Sequence, residues 1–346
     1  MRTRTQRGAA VLMALFIATL ATIIVSGLFW RQFVVIRTIE NQQIRAESSL
    51  LLRGALDWSG AILREDARTT SIDTLAEPWA QPLAETRLDQ LGETSALAAQ
   101  ASISGAIDDA QARLNLRNLV RSDGTLVPRE VEALRRLATL LSAPQQTADL
   151  IANRMAQAWK ALAAASAGAT NGTAGTANGA TGATGATASS TTTAMATSSG
   201  AATSGPAPLP LVFPFDLAGI SGIDPEAALR LAPYIIVLDI ATPVNFNTAS
   251  PEVMAARVNG LSLSDAKGLA ADRDRIPFAN TGDIVNRLRG RGTDVQAATD
   301  LAVASRYFLV RGNVHLERAT TRMEALLRRA PAGQVGPVDI LWSREL

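Results

Sequence analysis

A chain of 346 residues and 36.3 kDa is long enough for two modest domains, or for one domain that carries a large insertion, and with aromatics at only 4% its core must come mostly from Leu, Ile, Val and Ala. It has no cysteine and a single histidine, which excludes disulfides, thiolate metal sites, thiol nucleophiles and His-rich metal centres, and leaves His315 as the sole base for any Ser–His–Asp triad. The net charge of +2 owes its sign to Arg2, Arg4 and Arg7, without which the balance is −1, so the pI of 9.5 is no mark of a nucleic-acid partner.

Residues 1–8, MRTRTQRG, are short and basic. Residues 9–30 follow without a charge, and as a helix they rise about 33 Å, enough to cross the hydrocarbon core of a bilayer. Arg31 closes the span. The arginines before it predict a cytoplasmic amino terminus, with the bulk of the chain across the membrane. A cleaved secretory signal has an apolar region of about 7–15 residues and a small-residue site after it. Here Ser26 and Gly27 are followed by Leu28, Phe29 and Trp30, which favours an uncleaved anchor over such a signal. No proline interrupts residues 32–67. Ile36, Ile39, Gln43, Ala46, Leu50, Gly54, Asp57 and Ala61 form one mixed row, and Leu51, Leu52, Ala55, Leu56, Trp58, Ile62 and Leu63 thicken its apolar side. The pattern predicts one long helix, membrane-embedded first and amphipathic afterwards, with Trp58 in a packed core.

Glu77-Pro78-Trp79-Ala80-Gln81-Pro82 reads as an ordered loop, and residues 101–120 open on a strand through Ile103, Gly105 and Ile107. Asp108 and Asp109 would point to opposite faces of that strand, a poor acid/base pair. Helices are predicted over residues 128–141 and 147–162. Residues 163–205 are Ala, Gly, Ser, Thr and Asn apart from Met195, too poor in apolar surface to offset ordering entropy, so they read as a flexible insert. A short helix is expected over 224–231, and a strand or extended loop over 234–240.

Ser250-Pro251-Glu252 opens a helix with a cap, Gly260-Leu261-Ser262 is a turn, Ser264 caps a second helix through Arg273, and Thr281-Gly282-Asp283 starts a third. This helix–hairpin–helix pattern gives an alternative function, a membrane-anchored DNA-binding protein of the DNA-uptake kind. Such hairpins bring glycine N–H groups to a phosphate, whereas here Ser262 replaces the second glycine and Asp265, Asp272 and Asp274 stand among Arg257, Lys267, Arg273 and Arg275. A small protein-contact module is the plainer reading. Residues 306–319, 321–328 and 338–342 alternate as strands, and His315 sits on the first as a solvated residue; a periplasmic hydrolase would have to use it.

The order of these motifs resembles a known family. Arg7-Gly8 followed by Ala9-Ala10-Val11-Leu12 is similar to a type IV prepilin leader, which a peptidase cuts after the glycine before the new first residue is N-methylated. The fifth residue after that cut is Met13, where most pilin-like subunits carry Glu; the K-type minor pseudopilins of type II secretion lack it too. Those pseudopilins also carry Pro-Trp-Ala (Pro78 to Ala80), an Asp-x-x-x-x-hydrophobic-Asn-Leu run (here Asp109, Arg113, Leu114, Asn115 and Leu116), and Val-Asn-Phe-Asn-Thr-Ala (Val244 to Ala249). Arg117 stands where a second Asn is common, and the family's Asp-Trp-x-Asp stretch is missing.

The resemblance implies an α+β fold. A pilin-like stem helix packs on an antiparallel sheet, and a large helical domain with the helix–hairpin–helix-like segment is inserted. The expected division is a leader at 1–8, a transmembrane helix at 9–30, its continuation at 31–67, sheet at 68–120, helical insertion at 121–300 with the low-complexity segment at 163–205, and sheet again at 301–346. It further implies cleavage between Gly8 and Ala9, N-methylation of Ala9, and no enzymatic activity. The place is the bacterial inner membrane, single-pass, with the bulk periplasmic. The role is at the tip of the pseudopilus, helping to start its assembly and the export of folded proteins across the outer membrane. Expected partners are the other minor pseudopilins, the major pseudopilin, the inner-membrane secretion platform and the prepilin peptidase, with no nucleic acid. Family members hold calcium in acidic loops of the helical domain; Asp108, Asp109, Asp272 and Asp274 are the candidates here, with plain solvation the alternative for each.

Overall fold

The computed structural model describes residues 7–91, 98–171, 208–289, 300–317, 319–334 and 336–346. In chain order its elements are α1 (Arg7–Thr69), β1 (Leu83–Arg87), β2 (Ala101–Asp109), β3 (Leu114–Asn115), α2 (Pro128–Leu140), α3 (Gln146–Asn171), α4 (Pro225–Leu231), β4 (Ile235–Ile236), β5 (Val244–Asn245), α5 (Pro251–Arg257), α6 (Leu263–Arg275), α7 (Thr281–Leu288), β6 (Leu301–Ala302), β7 (Tyr307–Leu316), β8 (Ala319–Arg329) and β9 (Val338–Glu345). The fold is α+β, and contacts divide it into two units.

The first unit holds Met1–Thr69, Glu77–Asp108 and Tyr307–Leu346. Its sheet has the order β1-β2-β7-β8-β9, with β1–β2, β7–β8 and β8–β9 antiparallel. One row of α1 faces this sheet: Ile44, Ser48, Leu52, Leu56, Ser59, Leu63 and Ala67, at helical spacing, are all buried. Ile44, Leu52, Leu56 and Leu63 share a core with Phe308, Val310, Val314, Leu316, Met323, Ala325 and Leu327. Trp58 is not in that row. It is 50% exposed, because a helix carrying apolar residues on several sides can press only one of them on a sheet. Trp79 takes the core place instead, edge-on to Phe308 at 5.1 Å, with its indole N–H donating to Glu77.

Two further details fasten the first unit. Arg329 is buried, stacks on Phe308, pairs with Asp66 and donates to the Leu63 carbonyl, which ties the last turns of α1 to β8. Gly105 lies so close to β7 that a Cβ would stand 2.7 Å from the Arg311 carbonyl oxygen. At the β9 edge, Leu326 faces Trp342 while Leu327 faces Ile340, so Leu341 is the extra residue of a bulge.

The second unit holds Thr70–Ala76 and Asp109–Arg306. Its helices pack around Leu134, Leu137, Ile151, Met155, Leu217, Leu231, Phe246, Met254, Leu269, Phe278 and Ile284. Two short parallel pairs, β3–β4 and β5–β6, stitch distant parts of the chain together. The expected strand over 234–240 is limited to β4, Ile235–Ile236. The cap of α6 is Ser262, whose hydroxyl accepts from the Asp265 N–H, rather than Ser264; a helix takes as cap the last residue with extended backbone, and that is Ser262. α3 runs on to Asn171, into the Ala/Gly/Ser/Thr-rich stretch; the rest of residues 163–205 lies outside the described residues.

Candidate functional site

The first candidate surface is the amino-terminal part of α1. From Val11 to Trp30 the large apolar side chains are 48–71% exposed, Met13 among them at 70%, and no face is set aside for a core. A helix that is apolar all round and covered by none of the described residues suits hydrocarbon or the stems of other chains. Gly8 and Ala9 fall in the first turn of α1, while their side-chain surroundings lie outside the described residues.

The aspartates singled out from the sequence go to different fates. Asp108 faces out of β2 and pairs with Arg311. Asp109 turns inward and is buried, as the period of the strand requires. One carboxylate oxygen of Asp109 accepts from the Gln111 N–H at 2.7 Å. The other accepts from Asn245 Nδ2 at 2.9 Å, Thr248 Oγ1 at 2.5 Å and Ser305 Oγ at 2.6 Å. Burial pushes its carboxyl above the ordinary value, against the lowering effect of those hydrogen bonds. Asp272 is exposed on α6, and Asp274 meets Arg273. Calcium asks for six to eight oxygens around one point. Here the oxygens of Asp109 are taken by donors and Asp108 and Asp274 meet arginines, while Asp272 lies exposed, and the four do not gather into one cluster among the described residues.

The Asn residues of the family-like runs turn out to be buried ties. Asn115 donates to the Ile240 carbonyl and to Thr242, and accepts from the N–H groups of Arg117 and Leu238. Asn245 reaches Asp73, Asp109 and Ser305 with one amide group. Asn247 bonds to Phe278 through both its amide and its carbonyl. Sequence reasoning missed a second buried cluster. Arg257 forms a two-pronged pair with Glu130 and also meets Asp300, which is shared with Arg129. Nothing in the sequence links position 130 to 257 and 300; the helices do so in space.

The hairpin between α5 and α6 is built for protein packing. Arg257 and Arg273 are buried, and Arg273 is spent on the carbonyls of Phe246 and Ala249. Burial lowers its guanidinium from the usual range. The Asp265 carboxylate accepts from the Ser262 hydroxyl at 2.6 Å, which sets a negative charge at the first turn of α6 where a phosphate would dock. His315 lies exposed on β7, with Nδ1 3.1 Å from the Thr320 hydroxyl.

Family models described as type II secretion system (T2SS), protein K, match residues 112–240 and 244–304. The type II secretion system protein K of Pseudomonas aeruginosa is 26% identical over 338 residues, covering 96% of this chain and 91% of that protein. A chain in the crystal structure of the GspK-GspI-GspJ complex from enterotoxigenic Escherichia coli matches with a TM-score of 0.62 and 18% identity, over 88% of this chain and 98% of that one.

Proposed function

Because the chain belongs to the protein K family of the type II secretion system, we propose that it is a minor pseudopilin that assembles with companion minor pseudopilins at the pseudopilus tip. In that role it helps to start the filament and the export of folded proteins. It does so as a structural subunit without catalytic chemistry. Its single span would sit in the inner membrane, amino terminus in the cytoplasm and both folded units in the periplasm. The observation that carries the reading is the combination in one chain: a stem helix left bare over its apolar first half, a five-stranded sheet gripping the second half, and a helical unit matched by the protein K models. The prepilin peptidase is the processing partner, acting between Gly8 and Ala9. Met13 is neutral, so the subunit brings no carboxylate to pair with a terminal amine ahead of it, which supports the leading position.

The test is intact mass of the full chain expressed with and without a prepilin peptidase, together with secretion in cells lacking this chain. Loss of residues 1–8 with gain of one methyl group, and a secretory protein stranded in the periplasm, are the expected results. A retained leader and undisturbed secretion overturn the proposal.

A further inference from the structure

The bare part of α1 does not end where the charge-free run ends. Trp30 is 71% exposed and Phe33 52%, while the first residue buried on the sheet is Ile44. Trp30, Phe33 and Arg37 stand on one helix face, at spacings of three and four. The two rings are 6.3 Å apart between centroids, and the Arg37 guanidinium lies 5.3 Å from the centre of Phe33. Arg37 also meets Glu40 at 3.0 Å. Arg31, next to Trp30 in the chain but about 100° round the helix from it, is exposed at the same depth and has no side-chain partner among the described residues. From Trp30 to Arg37 the helix rises about 10 Å, little more than the roughly 5–8 Å of headgroup layer on each side of a bilayer.

Rings with cations at the boundary between hydrocarbon and water match the chemistry of lipid headgroups. A partner's apolar stem would fit less well, since it would have to desolvate Arg31 without a counter-charge. We propose that Trp30, Arg31, Phe33 and Arg37 form a site for the phosphates of anionic lipids in the outward-facing leaflet, which fixes the depth of α1 in the membrane before it joins a filament. This rests on the single-pass reading above.

The chain has no cysteine, so a Gln32→Cys variant of the full-length protein carries one label at this level. In phosphatidylcholine vesicles doped with labelled phosphatidylglycerol or labelled phosphatidylcholine, energy transfer reads which lipid gathers around the label. The expected enrichment of phosphatidylglycerol is about fivefold per arginine at low salt, fading as salt rises. Arg31→Gln with Arg37→Gln should abolish it, whereas Glu40→Gln, which releases Arg37, should raise it. Random lipid composition around the unmodified site, or enrichment that survives the double substitution, overturns the proposal. Carbonate extraction of the same vesicles separates the two readings. Protein that washes off counts against the membrane span itself. Protein that stays embedded without lipid preference counts against the headgroup site alone.

Discussion

At the scale of single residues, the second unit depends on buried charge. Arg257 pairs with Glu130 and Asp300, carboxylates that Arg129 also meets, and Arg257→Ala would leave the two buried carboxylates with Arg129 as their one remaining cation among the described residues. We expect a loss of about 3–5 kcal/mol, read as a lower guanidinium midpoint. Asp109 has no such cation among its hydrogen-bond partners, only four donors. Asp109→Asn sets an amide N–H against the Asn245, Thr248 and Ser305 donors, and should destabilise by about 3 kcal/mol. The pH dependence has a definite sign. The folded-state value lies above the ordinary 3.8, so the folded form holds its proton longer than the unfolded form. Stability from this group therefore grows as pH falls from the raised value towards 3.8, and is lost again as pH rises through the raised value. Urea titrations over that window should show the extra acid stabilisation in the parent chain and none of it in Asp109→Asn. The opposite faces of Asp108 and Asp109 were legible from the period of a strand. The donors around Asp109 come from positions 245, 248 and 305, and no local pattern announces them.

At the scale of elements, α1 shows what periodicity can and cannot settle. A proline-free run predicts the helix, and its length was readable to within a few residues of Thr69. The face was not. Leu51, Leu52, Ala55, Leu56, Trp58, Ile62 and Leu63 spread over about 160° of the helix at roughly 100° per residue, a stripe wide enough that composition alone does not pick which part of it meets the sheet. The row through Leu52, Leu56 and Leu63 wins because the sheet offers Phe308, Val310 and Leu327 on one side only. Leu63 is fully buried and Trp58 half exposed, which reverses the ranking that residue size would give. Leu63→Ala should lower stability by about 2–5 kcal/mol, while Trp58→Ala should cost under about 1 kcal/mol; thermal denaturation of the two variants side by side checks the order. The hairpin after α5 was legible in outline. Its true cap, Ser262, was missed because Ser262 and Ser264 offer the same chemistry two residues apart, and only the backbone distinguishes them.

At the scale of the whole molecule, chain order carried most of the information. Apolar span, amphipathic continuation, strands, helices and strands again were legible in sequence, because each rests on local patterning. The five-stranded order β1-β2-β7-β8-β9 was not, since it brings residues near 105 beside residues near 311 across the entire helical unit. The uncovered apolar surface of residues 11–30 makes a definite demand on handling. The full chain should stay in the membrane fraction through carbonate and high salt and leave only with detergent, and a variant lacking residues 1–30 should be recovered in the soluble fraction.

The Arg329 tie gives the stem a mechanical meaning. α1 runs for 63 residues, about 95 Å of rod, and its far end is bolted through Asp66 and Leu63 to the strand that shares the longest ladder of the sheet. Traction or thrust on the rod thus enters the head at a rivet with β-ladder behind it, rather than through a slack hinge. A piston rod needs that coupling if a push at one end is to be felt at the other.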